Sequence, residues 1–367
     1  MLLELVALTL AGIHFGVPLL YYFYLKSRYL DEPWNIKIDE DYRPRVTVIV
    51  PTYNEAKFIQ GKLDNVYGQD YPKDLMEVVV VDSASTDGTP ELVEEWASEH
   101  RDVDLRLIRE GERRGKAHAL NHALRYATGD VVIVADVDAV WPGNALAEAL
   151  SWFSDPVVGA VSCLKEPAGS SVKGVEGSYR QYYNVLRVAE SKAYATPIFH
   201  GELAAFRRSL LEELNGFPTD VGADDSYTAT RIALMGYRAI VPEDLWVEEI
   251  VPNEGYFWWR VRRAQHLIQH FAKILKTRPK TPKRFKTVLA VEAYLHLINP
   301  WVLLASTALF VASATGGSLI ALTFLALGLA SLLIKEYRTW IIQQFYLMVA
   351  TLRNLKSREI AWSKQVK

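Results

Sequence analysis

Four β-branched residues in a row, Val131-Val-Ile-Val134, lead through Ala135 into Asp136-Val-Asp138. A run that apolar and that short reads as a strand buried on both faces, the kind found inside a parallel sheet. Carboxylates at its C-terminal end stand where open α/β sheets hold their ligands. Side chains at i and i+2 of an extended chain project to one side, so Asp136 and Asp138 could share one cation. Oxygen-only ligands suit Mg or Mn, shared with phosphate oxygens of a substrate. A solvated turn after a strand is the other reading, and Asp-X-Asp alone does not decide between them.

Around this strand the pattern alternates. Val46–Val50 reads as a first strand stopped by Pro51, with Asn54 as the N-cap of a helix running to about Gly68. Glu77–Asp82 reads as a second strand, followed by a turn and a helix to about His100. Leu105–Ile108 is a third strand, Gly115–Ala127 a helix, 131–135 the fourth strand and Val157–Leu164 a fifth. Strands alternating with helices over some 165 residues predict an open, mostly parallel α/β sheet of the nucleotide-binding kind. No Gly-X-Gly-X-X-Gly follows strand one and no Walker loop occurs, which disfavours dinucleotide dehydrogenases and P-loop ATPases. A net charge of −2 over 367 residues argues against a nucleic-acid partner. The single cysteine, Cys163, excludes an internal disulfide and reads as a small core residue.

Apolar residues concentrate at the two ends. Residues 2–25 carry one charge, Glu4, and are long enough for a span of about 20 residues. Lys26 and Arg28 follow the run rather than precede it, so it predicts an anchor with its cytoplasmic end at those cations, and not a secretory signal. Residues 288–312 and 317–334, joined by Ala314-Thr-Gly-Gly-Ser318, predict a transmembrane hairpin, weakened in its first half by Glu292, His296 and Asn299. Seven Lys/Arg between Lys273 and Lys286, with Lys335 and Arg338 beyond, place both hairpin ends on the cytoplasmic side. Trp340–Ala350, flanked by Arg338, Arg353, Lys356 and Arg358, predicts an interfacial amphipathic helix, a fourth span being the alternative.

Several short motifs then fall in order: Pro51-Thr-Tyr53-Asn-Glu55, Asp82-Ser-Ala-Ser-Thr-Asp87-Gly, Gly115-Lys116-Ala, and Asp136-Val-Asp138. The series resembles glycosyltransferase family 2, inverting enzymes with a GT-A fold, over roughly residues 44–275. The flanking apolar segments resemble its membrane-embedded branch, which includes hyaluronan and cellulose synthases and ceramide glucosyltransferases.

The resemblance implies that Asp82 and Glu55 contact the nucleotide of a UDP- or GDP-sugar, with Pro51 and Tyr53 lining the same pocket. It implies that Asp136 faces the ribose and sugar, that Asp138 holds the metal, and that Gly201 lines the acceptor and sugar site. Lys116 opens a helix, where a cation is unfavourable to the dipole, and is assigned to donor phosphate. Asp224 and Asp225 open another helix; they read either as dipole caps or, through the family's Glu-Asp pair, as the site of the general base, Asp225. The family's Glu is Asp224 here, which leaves that residue's role open. Processive members carry Gln-X-X-Arg-Trp where this chain has Arg260-Val-Arg262-Arg263-Ala264, so the arginine is kept and the Gln and Trp are not. Arg263 and Arg260 are assigned to the diphosphate, and Trp258 and Trp259 to sugar stacking or the bilayer interface.

The sequence thus divides into an anchor (1–26), a linker (27–45), a donor-binding half (46–165), an acceptor half (166–275), a basic link with a hairpin (276–335) and an interfacial helix with tail (336–367). The expected function is transfer of a sugar from a nucleotide donor to a lipid acceptor at the cytoplasmic face of a membrane. A polyprenyl-phosphate acceptor, a processive polysaccharide synthase and a catalytically inactive nucleotide-sugar-binding module are the alternatives.

Overall fold

The computed structural model describes residues 2–167, 175–252, 254–277 and 279–357. Most of the connection at 166–174, and the Arg358 flank of the last helix, lie outside the described residues.

The chain starts with helix α1 (Leu2–Leu25), which continues through a wider π turn, Lys26–Leu30. The α/β body then runs β1 (Val46–Thr52), α2 (Ile59–Tyr67), β2 (Met76–Ser83), α3 (Thr89–Glu99), β3 (Asp104–Glu110), α4 (Lys116–Leu124) and β4 (Val131–Val134). It goes on with β5 (Ala139–Val140), α5 (Ala145–Ser151), β6 (Val158–Ser162), β7 (Leu164–Pro167), α6 (Val175–Ala193), β8 (Ala204–Arg207), α7 (Arg208–Glu213), α8 (Asp224–Leu234), β9 (Arg238–Ile240) and β10 (Trp246–Glu249). Five helices close the described chain: α9 (Tyr256–Thr277), α10 (Lys283–Leu297), α11 (Asn299–Thr315), α12 (Leu319–Ser331) and α13 (Lys335–Asn354).

Seven strands form one sheet in the order β3-β2-β1-β4-β8-β6-β9. The first four are parallel; β8 enters antiparallel to both β4 and β6, so the sheet is mixed. Alternate side chains bury on opposite faces, as a period of two requires. Val48, Val78 and Ile133 pack with α2, α3 and α5 on one face, while Ile49, Val79 and Val132 pack with α4, α7 and α8 on the other. A small second sheet, β5-β10-β7, stands beside the ends of the first. Strands β5, β8, β9 and β10 are two to four residues long. That is too short for alternation to show in sequence.

Two expectations change. The first strand continues through Pro51 to Thr52, paired with Val81 and Asp82. Asn54 does not cap a helix: it adopts φ 55°, receives the Thr86 N–H on its side chain at 2.8 Å, and donates its own N–H to Ser85. Asn tolerates that left-handed conformation, which turns the chain before α2 begins at Ile59.

At the apolar end, Leu2–Leu30 alone is long and apolar enough to cross a membrane among the described helices. The run expected as one span at 288–312 divides into α10 and α11, bent by 47° at Ile298, where Pro300 opens the second helix. The second expected span is the 13-residue α12, about 20 Å at the helical rise. A 102° turn separates it from α13. α1 packs on α11 and α12 through Ala7, Phe310 and Ala321, with Ser306 donating to the Ala7 carbonyl at 2.8 Å. α13 lies against α9 through Tyr346, Leu347, Val261 and Ile268.

Candidate active site

The C-terminal ends of β1 and β4 open into a cavity of about 350 Å³. Pro51, Tyr53 and Glu55 line one end; Asp136, Asp138 and Lys116 form its floor; Gly201, Asp224 and Asp225 close on them from the second half of the domain. Trp259, Arg260 and Arg263 of α9 form the far wall, where Gln343, Tyr346 and Leu347 of α13 also reach it.

Four residues meet at the centre. Lys116 Nζ lies 2.6 Å from Asp136 Oδ1. The Asp136 N–H donates to the Gly201 carbonyl at 3.1 Å. A Cβ on Gly201 would stand 2.6 Å from Lys116 Nζ, 3.1 Å from Asp136 Oδ2 and 3.5 Å from Asp225 Oδ2, so a larger residue would displace the ion pair. Burial alone would lower the Lys116 pKa, but the Asp136, Asp224 and Asp225 carboxylates hold it well above the usual lysine range. The cation that the helix dipole disfavours is therefore offset by three acids.

Asp225 is half-buried, and burial together with the Asp224 carboxylate pushes its pKa up to about 7, with Lys116 pulling the other way. Burial raises Asp224 as well, and its Oδ2 has no hydrogen-bond partner among the described residues. Asp225 Oδ1 accepts the Ser226 N–H. A carboxylate titrating near neutrality in a cleft has the proton affinity a general base needs. Gly222, just upstream, is pressed against His266 of α9: a Cβ there would meet the imidazole at 2.2 Å.

The remaining expected residues are placed unevenly. Asp82 is 2% exposed and is the penultimate residue of β2, with one oxygen accepting from Thr52 at 3.1 Å and the other from the Ser85 N–H at 2.9 Å. Its neighbour Ser83, and not Asp82, lines the cavity. The Glu55 N–H donates to Thr89, and the Arg113 guanidinium lies 3.9 Å over the Tyr53 ring. Trp259 is buried beneath the Arg263 guanidinium at 4.7 Å, whereas Trp258 is 53% exposed on the outside of α9.

The far wall contains a charge cluster that sequence reasoning missed. Lys165 bonds Glu202 at 2.9 Å and reaches Glu249 at 3.3 Å; Arg180 bonds Glu249 at 2.7 Å; Arg263 joins both acids. Three cations share two carboxylates, and with the burial penalty acting against it Glu202 is still held far below the usual range by Lys165 and Arg263. Arg260 is 7% exposed, lies 4.0 Å over the Tyr179 ring and donates to Gln343 of α13. Glu202 and Arg180 carried no motif, and only their approach in space reveals them.

A divalent ion fits this donor set in a particular way. No group of three or more His, Cys, Asp or Glu able to hold a metal occurs among the described residues. Asp136 and Asp138 offer oxygens only, and Asp136 already meets Lys116. One or two carboxylates completed by phosphate oxygens and water is the arrangement Mg²⁺ and Mn²⁺ use with nucleotides.

A mixed sheet with paired acids after its fourth strand and a neutral-range carboxylate facing them defines a GT-A-like nucleotide-sugar transferase. The family model described as glycosyl transferase family 2 matches residues 47–215. A solved mannosyltransferase from Pyrobaculum calidifontis, in complex with GDP-Man and Mn²⁺, is 59% identical, covers 96% of this chain and 99% of its own, and superposes with a TM-score of 0.90. A poly-beta-1,6-N-acetyl-D-glucosamine synthase of Staphylococcus epidermidis is 25% identical over 279 residues, 73% of this chain. Its Staphylococcus aureus counterpart is 28% identical over 301 residues, 77% of this chain. The chain spans 66% and 69% of the length of these two synthases. Staphylococcus aureus TarS, 22% identical over 69% of this chain and 44% of its own with a TM-score of 0.51, shares the fold. The chain belongs to glycosyltransferase family 2, and it is a nucleotide-sugar glycosyltransferase.

Proposed function

We propose that the protein is a metal-dependent, inverting mannosyltransferase that takes mannose from GDP-mannose and places it on a hydroxyl of a lipid-carried acceptor at the cytoplasmic face of a membrane. The donor reading is supported by the 59% identical relative solved with GDP-Man and Mn²⁺. The membrane reading is supported by α1 and by exposed Leu319, Leu322, Leu327 and Leu329 on α12. One observation carries the acceptor class: Asp225, titrating near 7, stands across Gly201 from Asp136. A hydroxyl must lose its proton as it attacks, so a neutral-range base has work to do only with such an acceptor.

In this reading the nucleotide occupies the Pro51–Glu55 end, and Asp136 with Lys116 orients the sugar. Asp138 would hold the divalent ion, which when bound supplies neutralising charge to the departing diphosphate. The acceptor oxygen passes its proton to Asp225 while it bonds to the anomeric carbon. The bond from that carbon to the diphosphate breaks on the opposite face, which inverts the centre. Arg263 and Arg260 face the released charge. The acceptor enters between α6, α9 and α13, where Tyr179, Tyr183 and Leu347 line the cavity.

The cluster of Lys165, Arg180 and Arg263 favours a second reading, a polyprenyl-phosphate acceptor, which is already ionised and needs no base. GDP release from GDP-mannose with Mn²⁺ and lipid extract, measured on wild type and Asp225→Asn, separates the two. Lipid-stimulated release lost in Asp225→Asn supports the hydroxyl acceptor. Release that survives points to the phosphate. Donor binding without turnover under any lipid would mean a binding module instead.

A further inference from the structure

Helix α2 presents a polar stripe to the segment that follows Asp138. Lys62 and Asn65, three residues apart, share one face of the helix, and Gln69 continues the row just past its end. Lys62 is 2% exposed; its Nζ donates to the Ala139 carbonyl at 2.9 Å and lies 4.0 Å from the centre of the Trp141 ring. Asn65 bonds Trp141 twice, donating to its carbonyl at 2.8 Å and accepting its N–H at 2.9 Å. Gln69 donates to the Pro142 carbonyl at 2.9 Å and accepts the Leu146 N–H at 3.0 Å. The Trp141 indole in turn donates to the Glu202 carbonyl at 2.8 Å, one residue beyond Gly201.

Asn65 and Gln69 hold Trp141, Pro142 and Leu146, so the contact to Ala139 falls to Lys62, which calls for its own explanation. A buried ammonium is costly without compensation, and a methionine would fill the same volume. Burial pushes the Lys62 pKa down to about 7 even though Asp136 pulls it up. Its ammonium hydrogen-bonds the residue directly after Asp138. Ala139 also pairs with Glu249 across β5 and β10, so that carbonyl stands where the paired acids meet the cationic wall.

We propose that Lys62 is a positioning residue for Asp138: by pinning the Ala139 carbonyl and the Trp141 ring, its ammonium sets the turn from which Asp138 meets the divalent ion and the donor diphosphate. The inference rests on the donor-and-metal reading given above. Lys62 touches neither ligand and acts through the backbone, as groups behind metal ligands commonly do.

The test is Mn²⁺ uptake by the purified full chain in the presence of GDP, followed by the electron paramagnetic resonance signal of free Mn²⁺, for wild type, Lys62→Met and Lys62→Arg. Lys62→Met is expected to weaken Mn²⁺ binding about tenfold or more. The Mn²⁺ needed for half-maximal GDP release should rise in parallel, with kcat at saturating Mn²⁺ within about twofold of wild type. Lys62→Arg, which keeps charge and donor, should recover most of the affinity. A folded Lys62→Met with wild-type Mn²⁺ affinity overturns the proposal, whatever its thermal midpoint. Should that variant not fold, Lys62→Gln, which removes the ammonium but keeps a polar side chain, takes its place, and unchanged Mn²⁺ affinity there overturns the proposal equally. Wild type that takes up no Mn²⁺ with either GDP or UDP would overturn the donor-and-metal reading itself, a result distinct from failure of the clamp alone.

Discussion

Lys116 and Asp136, twenty residues apart in sequence, form a 2.6 Å ion pair that stands at the first turn of α4 and just past the end of β4. The pair has Gly201 at its back and the Asp224–Asp225 helix start facing it. One cation thus serves three carboxylates in a half-closed cleft, and burial, with the Asp224 carboxylate beside it, keeps Asp225 protonated up to neutrality.

Removing that cation has a predictable sign. Lys116 lowers the Asp225 pKa, so Lys116→Met should raise it further. If the deprotonated carboxylate is the base, wild-type turnover rises with pH through about 7. The rising limb in Lys116→Met should move to higher pH, with activity at pH 7 reduced about a hundredfold. A pH profile of GDP release checks this; a limb that stays in place would remove Lys116 from the base's environment.

The same titration predicts a stability slope. Asp225 has its pKa raised from 3.8 to about 7, so between those values the folded state holds a proton that the unfolded chain has released. Its contribution to stability is fully present at low pH and falls as pH rises through that window. Thermal midpoints of donor-free protein should therefore fall less between pH 5 and pH 8 in Asp225→Asn than in wild type, since the amide does not titrate. Identical slopes would mean that Asp225 ionises normally.

Gly201→Ala tests how closely the centre is packed. The added Cβ meets Lys116 Nζ at 2.6 Å and Asp136 Oδ2 at 3.1 Å, both ends of movable side chains, so the fold can yield while the ion pair cannot stay in place. Expected are a loss of about a hundredfold in kcat, the scale of a 1 Å misplacement, and a nearly unchanged thermal midpoint. A variant that keeps wild-type kcat would show the pair to be incidental.

The donor half was legible because its strands are apolar runs that end in motif residues. Val46, Glu77 and Val131 each open or lie within a strand of the expected kind, and Asp136 follows the strand that announced it. The acceptor half was less so. Its strands β8, β9 and β10 are too short to show a period, and Glu202, Glu249, Lys165 and Arg180 gain meaning only when α6, β7, β10 and α9 bring them together. Asn54 misled because Asn suits both a helix cap and a left-handed turn, and only the Ser85–Thr86 backbone decides between them. At the apolar end, composition located the segments, while the bend at Ile298 and the 102° turn into α13 came from packing that hydropathy does not encode.

Glu249→Gln should reveal how the missed cluster is balanced. The carboxylate is 2% exposed and shared by Lys165, Arg180 and Arg263, so its loss leaves three cations with Glu202 alone. Breaking a buried pair on one side costs about 3–5 kcal/mol. A large drop in thermal midpoint is expected without donor, partly recovered with GDP, because an anion can replace the missing charge. Absence of any GDP recovery would separate this cluster from the nucleotide site.

Trp258 and Trp259, identical and adjacent in sequence, should differ in every assay. Trp259 is 1% exposed, lies under Arg263 and lines the cavity, while Trp258 is 53% exposed beside Arg353 of α13. Helical geometry accounts for the split, since neighbouring residues point about 100° apart. Trp259→Phe keeps an apolar ring but shortens the platform beneath Arg263, and should raise the KM for donor with modest loss of stability. Trp258→Ala removes no core contact and should leave GDP release in detergent within about twofold. If the exposed ring sits at a bilayer surface with the exposed Phe345 and Leu352 of α13, the same substitution lowers binding to lipid vesicles. Loss of turnover in Trp258→Ala together with normal donor KM in Trp259→Phe would reverse the assignment and place the outer tryptophan at the substrate.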